Sequence, residues 1–175
     1  MPIDKTKRTD YTVKNVKTFD SHDGGGYNCT LYRENKKIAT AHDGGYGGGV
    51  ELHWLDRDTG KKENGLPVLQ PSIESIRFYD MIKDLEPVQY HEEPLSYNDN
   101  MFVGELVNEY ELNKQYKRWC RKQTVFRVKG DPEGEFRTLN ASYIDRTVDF
   151  IKAKYGETLD YILNEKIGQK VGAKV

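Results

Sequence analysis

Residues 11–55 read YTVKNVKTFDSHDGGGYNCTLYRENKKIATAHDGGYGGGVELHWL, and this stretch decides the fold. Tyr11 and Val13 alternate with polar neighbours, and Val16 and Phe19 follow in the same β-branched and aromatic run. Tyr27, Cys29 and Leu31 fall on one face of a second run, and Val50, Leu52 and Trp54 on one face of another. Period-two alternation marks a strand with one buried side. Between the runs lie turn-forming stretches at 20–26, 34–36 and 43–49, the last with five glycines in seven residues. Glycine orders at a high entropic cost, so these stretches interrupt strands. Short connections imply antiparallel neighbours. Residues 10–56 therefore predict an antiparallel four-strand meander.

Beyond Trp54 the period changes. Residues 56–70 form a charged connector containing Gly and Pro. Ser72 can cap a helix running to about Glu86, stopped by Pro87, with Ile73, Ile76, Ile82 and Leu85 as its apolar side and Phe78 and Met81 near that stripe. Residues 87–98 read as a loop. Asn98 or Asp99 caps a longer helix to about Lys122, with Val103, Leu106, Val107, Tyr110, Leu112, Tyr116 and Trp119 apolar. Residues 124–129 and 135–139 predict a hairpin around Asp131-Pro132-Glu133-Gly134. Ser142 starts a third helix through Ile144, Val148, Ile151 and Tyr155, with Gly156 at its stop. Leu159, Ile162, Leu163 and Ile167 suggest a last short helix. The expectation is an α+β fold: a meander packed on helices, with a late hairpin. It covers one domain over 10–167 (meander 10–56, helices 71–122, hairpin 124–139, helices 142–167). Residues 1–9 are expected to be flexible and 168–175 frayed.

Composition narrows the function classes. The chain has 175 residues, Lys+Arg 27 against Asp+Glu 28, and a net charge of −1. Hydrophobic residues make up 36%, so the core must be lean and must draw on Tyr 12, Phe 6 and Trp 2. No apolar run reaches the roughly 20 residues of a membrane span. The start, MPIDKTKRTD, carries no apolar stretch of a secretory signal. Cys29 and Cys120 are too few for a disulfide framework or a four-cysteine zinc site. These features point to a cytoplasmic protein without a membrane partner.

One motif is doubled. His22-Asp23-Gly24-Gly25 recurs twenty residues on as His42-Asp43-Gly44-Gly45. The copies follow the first and third strands, and alternate connections of a meander emerge at one end of the sheet. His22, Asp23, Gly25, Tyr27, His42, Asp43, Gly45 and Tyr46 would then share a rim and contact a ligand or partner. Imidazole and carboxylate are ligands of zinc and other divalent metals, so His22, Asp23, His42 and Asp43 are also a candidate metal set. They are equally a general acid–base set. Converging glycine N–H groups suit an anion. Asp-Gly is also an ordinary turn dipeptide. No standard nucleotide loop, G-x-G-x-x-G or G-x-x-x-x-G-K-[ST], is present. No cofactor is expected, although a divalent metal is compatible with the motif.

Charge is segregated despite the small net value. Residues 84–111 hold eight acids and no Lys or Arg, and residues 114–129 hold only bases. Lys114, Lys117, Arg118, Arg121 and Lys122, interleaved with Tyr116 and Trp119, form a candidate nucleic-acid surface. Acids near a helix start and bases near its end also satisfy the macrodipole. Tyr27, Tyr32, Tyr46, Tyr90, His91 and Tyr97 are further candidates for a binding surface. Cys120 sits among Lys117, Arg118, Arg121 and Lys122, bases of the kind that can lower a thiol pKa, but no His–Cys constellation supports a thiol nucleophile; Cys29 reads as buried and inert. His53 reads as lying on the outer sheet face.

Two stretches resemble small hypothetical proteins of bacteriophage and prophage genomes. Lys14-Asn15-Val16-Lys17-Thr18-Phe19, with the following Gly-rich turn and Tyr27-Asn28-Cys29-Thr30-Leu31-Tyr32, resembles their opening. Residues 124–140, TVFRVKGDPEGEFRTLN, resemble their C-terminal part. No catalytic residue comes with this likeness. It implies an accessory binding protein that blocks a host factor, in an anti-defence role against CRISPR or by sequestering a nucleotide immune signal, inside the host cytoplasm. The partner is then a host protein or a nucleotide. From the residues alone, two alternatives stay open: a small metal-dependent nuclease or phosphodiesterase using the two His-Asp pairs, and nucleic-acid binding by the basic helix.

Overall fold

The computed structural model describes residues 10–90 and 93–172; residues 1–9, 91–92 (with the candidate His91) and 173–175 lie outside them. The fold is α+β. The chain falls into two compact units, residues 1–110 and 111–175.

The first unit begins with β1 (Tyr11–Asp20), β2 (Gly25–Arg33), β3 (Lys36–Asp43) and β4 (Glu51–Trp54), paired antiparallel in the order β1-β2-β3-β4. The predicted meander is what forms. Its inner face buries Tyr11, Val13, Val16, Tyr27, Cys29, Leu31, Ile38 and Ala41. Strict alternation from Tyr11 would turn Asn15 and Lys17 into that core. A β-bulge between Lys14 and Lys17, with Asn15 at φ 55°, absorbs one residue instead. Val16 is thereby buried, while Lys17 and Phe19 point outward.

The 56–70 connector is not featureless. It forms a hairpin of β5 (Asp58–Glu63) and β6 (Leu66–Leu69) around Asn64-Gly65, a positive-φ pair. The loop expected at 87–98 contains a second small ribbon, β7 (Val88–Tyr90) with β8 (Glu93–Leu95).

Helix α1 (Ile73–Lys83) is capped by Ser72, whose Oγ accepts from the Ser75 N–H at 2.8 Å. The helix is rotated from the face its isoleucines predict. Phe78 and Ile82 are buried, while Ile73 and Ile76 are exposed. The turn is set by Glu74, whose buried carboxylate takes two bonds from Arg33 of β2 at 2.9 and 3.0 Å. That ion pair pins the helix to the sheet and brings Phe78 between Tyr11, Trp54 and Phe102. Helix α2 (Asp99–Cys120) is capped by Asn98, which accepts from the Met101 N–H at 2.9 Å. Phe102, Val103, Leu106 and Val107 complete this core.

The second unit holds the end of α2, then β9 (Thr124–Val128), β10 (Arg137–Leu139), α3 (Asp145–Tyr155), β11 (Leu159–Ile162) and α4 (Leu163–Lys166). The predicted hairpin is present as β9–β10. Asp131 holds its turn, accepting from the Val128 N–H at 3.0 Å and from Arg137 at 2.6 Å. The last helix is shorter than expected. Leu159–Ile162 extends as β11 and makes β9 the middle strand of a three-strand sheet. A fully buried Asn164 ties this region together. Its side chain accepts from the Val125 N–H at 2.8 Å and donates to the carbonyls of Cys120 and Gln123.

Candidate functional site

The two His-Asp-Gly-Gly corners meet at one end of the meander. The Ser21 hydroxyl donates to the Gly45 carbonyl at 2.8 Å, and the Gly45 N–H donates to the Asp43 carboxylate at 2.8 Å. Gly45 has φ +70°, and a Cβ there would lie 2.9 Å from the Gly25 carbonyl carbon and the Gly26 nitrogen. The corners therefore interlock through backbone, which only glycine permits. Gly26 is equally constrained: a Cβ would strike the Phe19 ring and come within 2.6 Å of the Asp43 carbonyl oxygen.

The imidazoles and carboxylates do not converge as one set. His22 Nδ1 bonds its own neighbour Asp23 at 3.0 Å, with both side chains exposed. His42 Nδ1 bonds Asn28 at 2.8 Å, across β2 and β3. Asp43 caps its own turn. Among the described residues no three His, Cys, Asp or Glu side chains form a metal-binding group. Tyr27 is turned into the core, where burial and then the Asp43 carboxylate push its phenol pKa up. Its hydroxyl has no hydrogen-bond partner among the described residues.

Three rings stand at the rim. Phe19 stacks on the His42 imidazole, with centroids 6.2 Å apart and planes 20° from parallel. Tyr46 folds back over Gly44 and is 69% exposed. Behind them the outer face of the meander forms a shallow groove of about 490 Å³ lined by Asn15, Lys17, Asn28, Thr30, Thr40, His42 and His53. His53 lies on this outer face, as expected from its alternation with Trp54. The groove mixes donors and acceptors, with Lys17 its one cation among the lining residues, and Glu51, opposite His42, adds an acid beside it. Phe19 and Lys17 belong to the site only because of the bulge at Asn15, which no alternation pattern signals.

The other candidates are distributed differently. Tyr97 is buried in the first core, and Tyr32 carries the Lys14 ammonium 4.5 Å from its ring centroid. Tyr90 ends β7. Lys117, Arg118, Arg121 and Lys122 are exposed, and Lys114 pairs with Glu111 at 3.0 Å. Tyr116 and Trp119 instead pack on Phe136 in the second unit's core, so the basic stretch does not offer these rings as a stacking platform. The bases around Cys120 do not activate it. It is buried, and desolvation pushes its pKa up to about 11. Cys29 is likewise buried and raised to about 11.

No helix of the described residues is long and apolar enough to cross a membrane. Comparison with protein-family models, with curated proteins and with solved structures returns no match to this chain.

Proposed function

We propose that this chain is a non-enzymatic binding protein that blocks a host factor, in the manner of small accessory phage proteins. Its contact surface is the corner rim together with the outer face of the meander. The observation that supports this most is the interlocked rim, where close backbone approach at Gly45 and Gly26 sets the Phe19 ring and the His42 imidazole stacked on it beside the outer-face groove, with Tyr46 exposed next to them. Rings held in place before binding lose little freedom on contact, which favours affinity. The role is anti-defence, by occluding a protein or by sequestering a nucleotide signal. For a nucleotide, a base would stack on Phe19 and His42 while Lys17 and His53 take phosphate.

The test is capture from infected host cells. Wild-type chain should retain a partner that the triple variant Phe19→Ala, His42→Ala, Tyr46→Ala loses. A variant altered at the basic helix, Arg118→Ala with Arg121→Ala, should still retain it. Equal retention by the rim variant would reject the surface. Stoichiometric zinc or manganese in purified protein, lost on His22→Ala and His42→Ala, would instead favour the metal-dependent hydrolase. Capture of nucleic acid, abolished by the basic-helix variant and weakened steeply by salt, would favour that helix as the binding element.

A further inference from the structure

Register places the outer-face side chains of the meander in two lines that cross the sheet. Lys17, Asn28, His42 and Glu51 come one from each strand, each directly opposite the next. Residues directly opposite share a face. A second line runs beside the first through Thr30, Thr40 and His53, and the Asn15 amide donates to the Thr30 hydroxyl at 3.5 Å. With strands about 4.8 Å apart, the first line is a strip of hydrogen-bonding groups about 14 Å long.

The strip has no net charge, since Lys17 at one edge is matched by Glu51 at the other. Residues 1–110 hold 13 bases against 19 acids, so the field of this unit disfavours an anionic ligand. Donors and acceptors sit side by side along it. Asn28 Oδ1 only accepts, so His42 Nδ1 donates to it across 2.8 Å. The neutral imidazole then keeps Nε2 as an acceptor, and Asn28 keeps its amide N–H groups as donors. A donor and an acceptor on adjacent strands suit a group that gives and takes a hydrogen bond at once, which is a hydroxyl. Thr40 and His53 repeat the mixture one step along the strands.

Beside the strips stand the rings, and glycine provides their seats. Phe19 lies directly opposite Gly26, which is buried, and a Cβ there would come 2.4 Å from Phe19 Cε2. A Cβ on Gly44 would come 2.8 Å from Tyr46 Cδ2. Rings laid over bare glycine backbone cover it. Phe19 and Tyr46 nonetheless stay 37% and 69% exposed. The C–H side of a sugar ring packs on such a ring by dispersion and weak C–H contacts, while its hydroxyls need mixed donors and acceptors alongside. We propose that this groove binds a short, uncharged oligosaccharide, with its rings against Phe19 and Tyr46 and its hydroxyls on Asn28, Thr40, His42 and His53. This rests on the contact surface proposed above and names the group recognised there, a sugar chain of the host factor. Glycoside hydrolysis uses a pair of carboxylates, and the strip supplies Glu51 alone, so the sugar is held and not cut.

Isothermal titration calorimetry of the full chain tests this, with neutral hexasaccharides of glucose, mannose and N-acetylglucosamine as probes and adenosine monophosphate alongside. At least one hexasaccharide should bind, with an affinity unchanged between low and high salt. Tyr46→Ala and His53→Ala, both at exposed positions, should each weaken it roughly tenfold with an unchanged circular-dichroism spectrum. No binding of any hexasaccharide would overturn the proposal. So would saccharide binding indifferent to both substitutions. Binding of adenosine monophosphate alone, lost in high salt and on Lys17→Ala, would overturn the sugar assignment and leave the contact surface standing. Failure of the surface itself is read separately, by partner capture with the rim variant.

Discussion

Gly45 shows how much a single position carries. Its positive φ and its approach to Gly25 and Gly26 leave no room for a methyl group. Gly45→Ala should cost about 1–3 kcal/mol, through backbone strain and the separation of the two corners. A urea titration would register this as a lower midpoint at unchanged slope. The doubled tetrapeptide was visible in the sequence, but its reason was not. The repeat supplies two mutually fitting backbones, whereas its histidines part company, one to Asp23 and one to Asn28. The thiols make a second residue-scale prediction. Burial raises both to about 11, so Ellman's reagent at pH 8 should label neither in the folded chain and both after denaturation. Rapid labelling of native Cys120 would contradict its position. The four surrounding bases point to solvent while the sulfur points inward, so their charge does not reach the thiol.

At the scale of elements, the strands were legible because alternation registers directly as burial. Helix α1 was not, because its buried side includes a glutamate. Apolar spacing favoured Ile73 and Ile76, and nothing local announces that Arg33, forty-one residues earlier, neutralises Glu74. That pair should make β2–α1 docking depend on pH. Arg33's hydrogen bonds hold the Glu74 carboxyl below its usual range, against the opposing effect of burial. A depressed carboxyl stabilises the fold above its unfolded value near 4.3 and ceases to do so as pH falls through the lower, folded value. Glu74→Gln should therefore cost roughly 1.5–3 kcal/mol at neutral pH. The difference from wild type should shrink below about pH 4, as read from chemical denaturation at each pH. In the second unit, β11 was misread as helix because Leu159, Ile162 and Leu163 fit either period over so short a run. Asn164 decides the local structure. Asn164→Leu would strand the Val125 N–H and two carbonyls, at about 1–3 kcal/mol for each group left unpaired, and should lower the midpoint of thermal unfolding.

At the scale of the molecule, class and order of elements were readable from composition and period, and the site was readable only in part. The rim was anticipated from the twin corners and the parity of a meander. Phe19 and Lys17 were not, since their outward turn depends on one bulged residue. Tyr27, grouped with the rim by proximity in sequence, belongs to the core by the alternation that also buries Cys29 and Leu31. The binding account rests on the corners being joined. The most direct measurement is a through-space proton NMR spectrum of the folded chain in solution. Cross-peaks between the Gly45 protons and the amide of Gly26, with further contacts from the Phe19 ring to Gly26 and His42, are the predicted result. Their absence, with the 22–25 and 42–45 corners each contacting only their own strands, would contradict it.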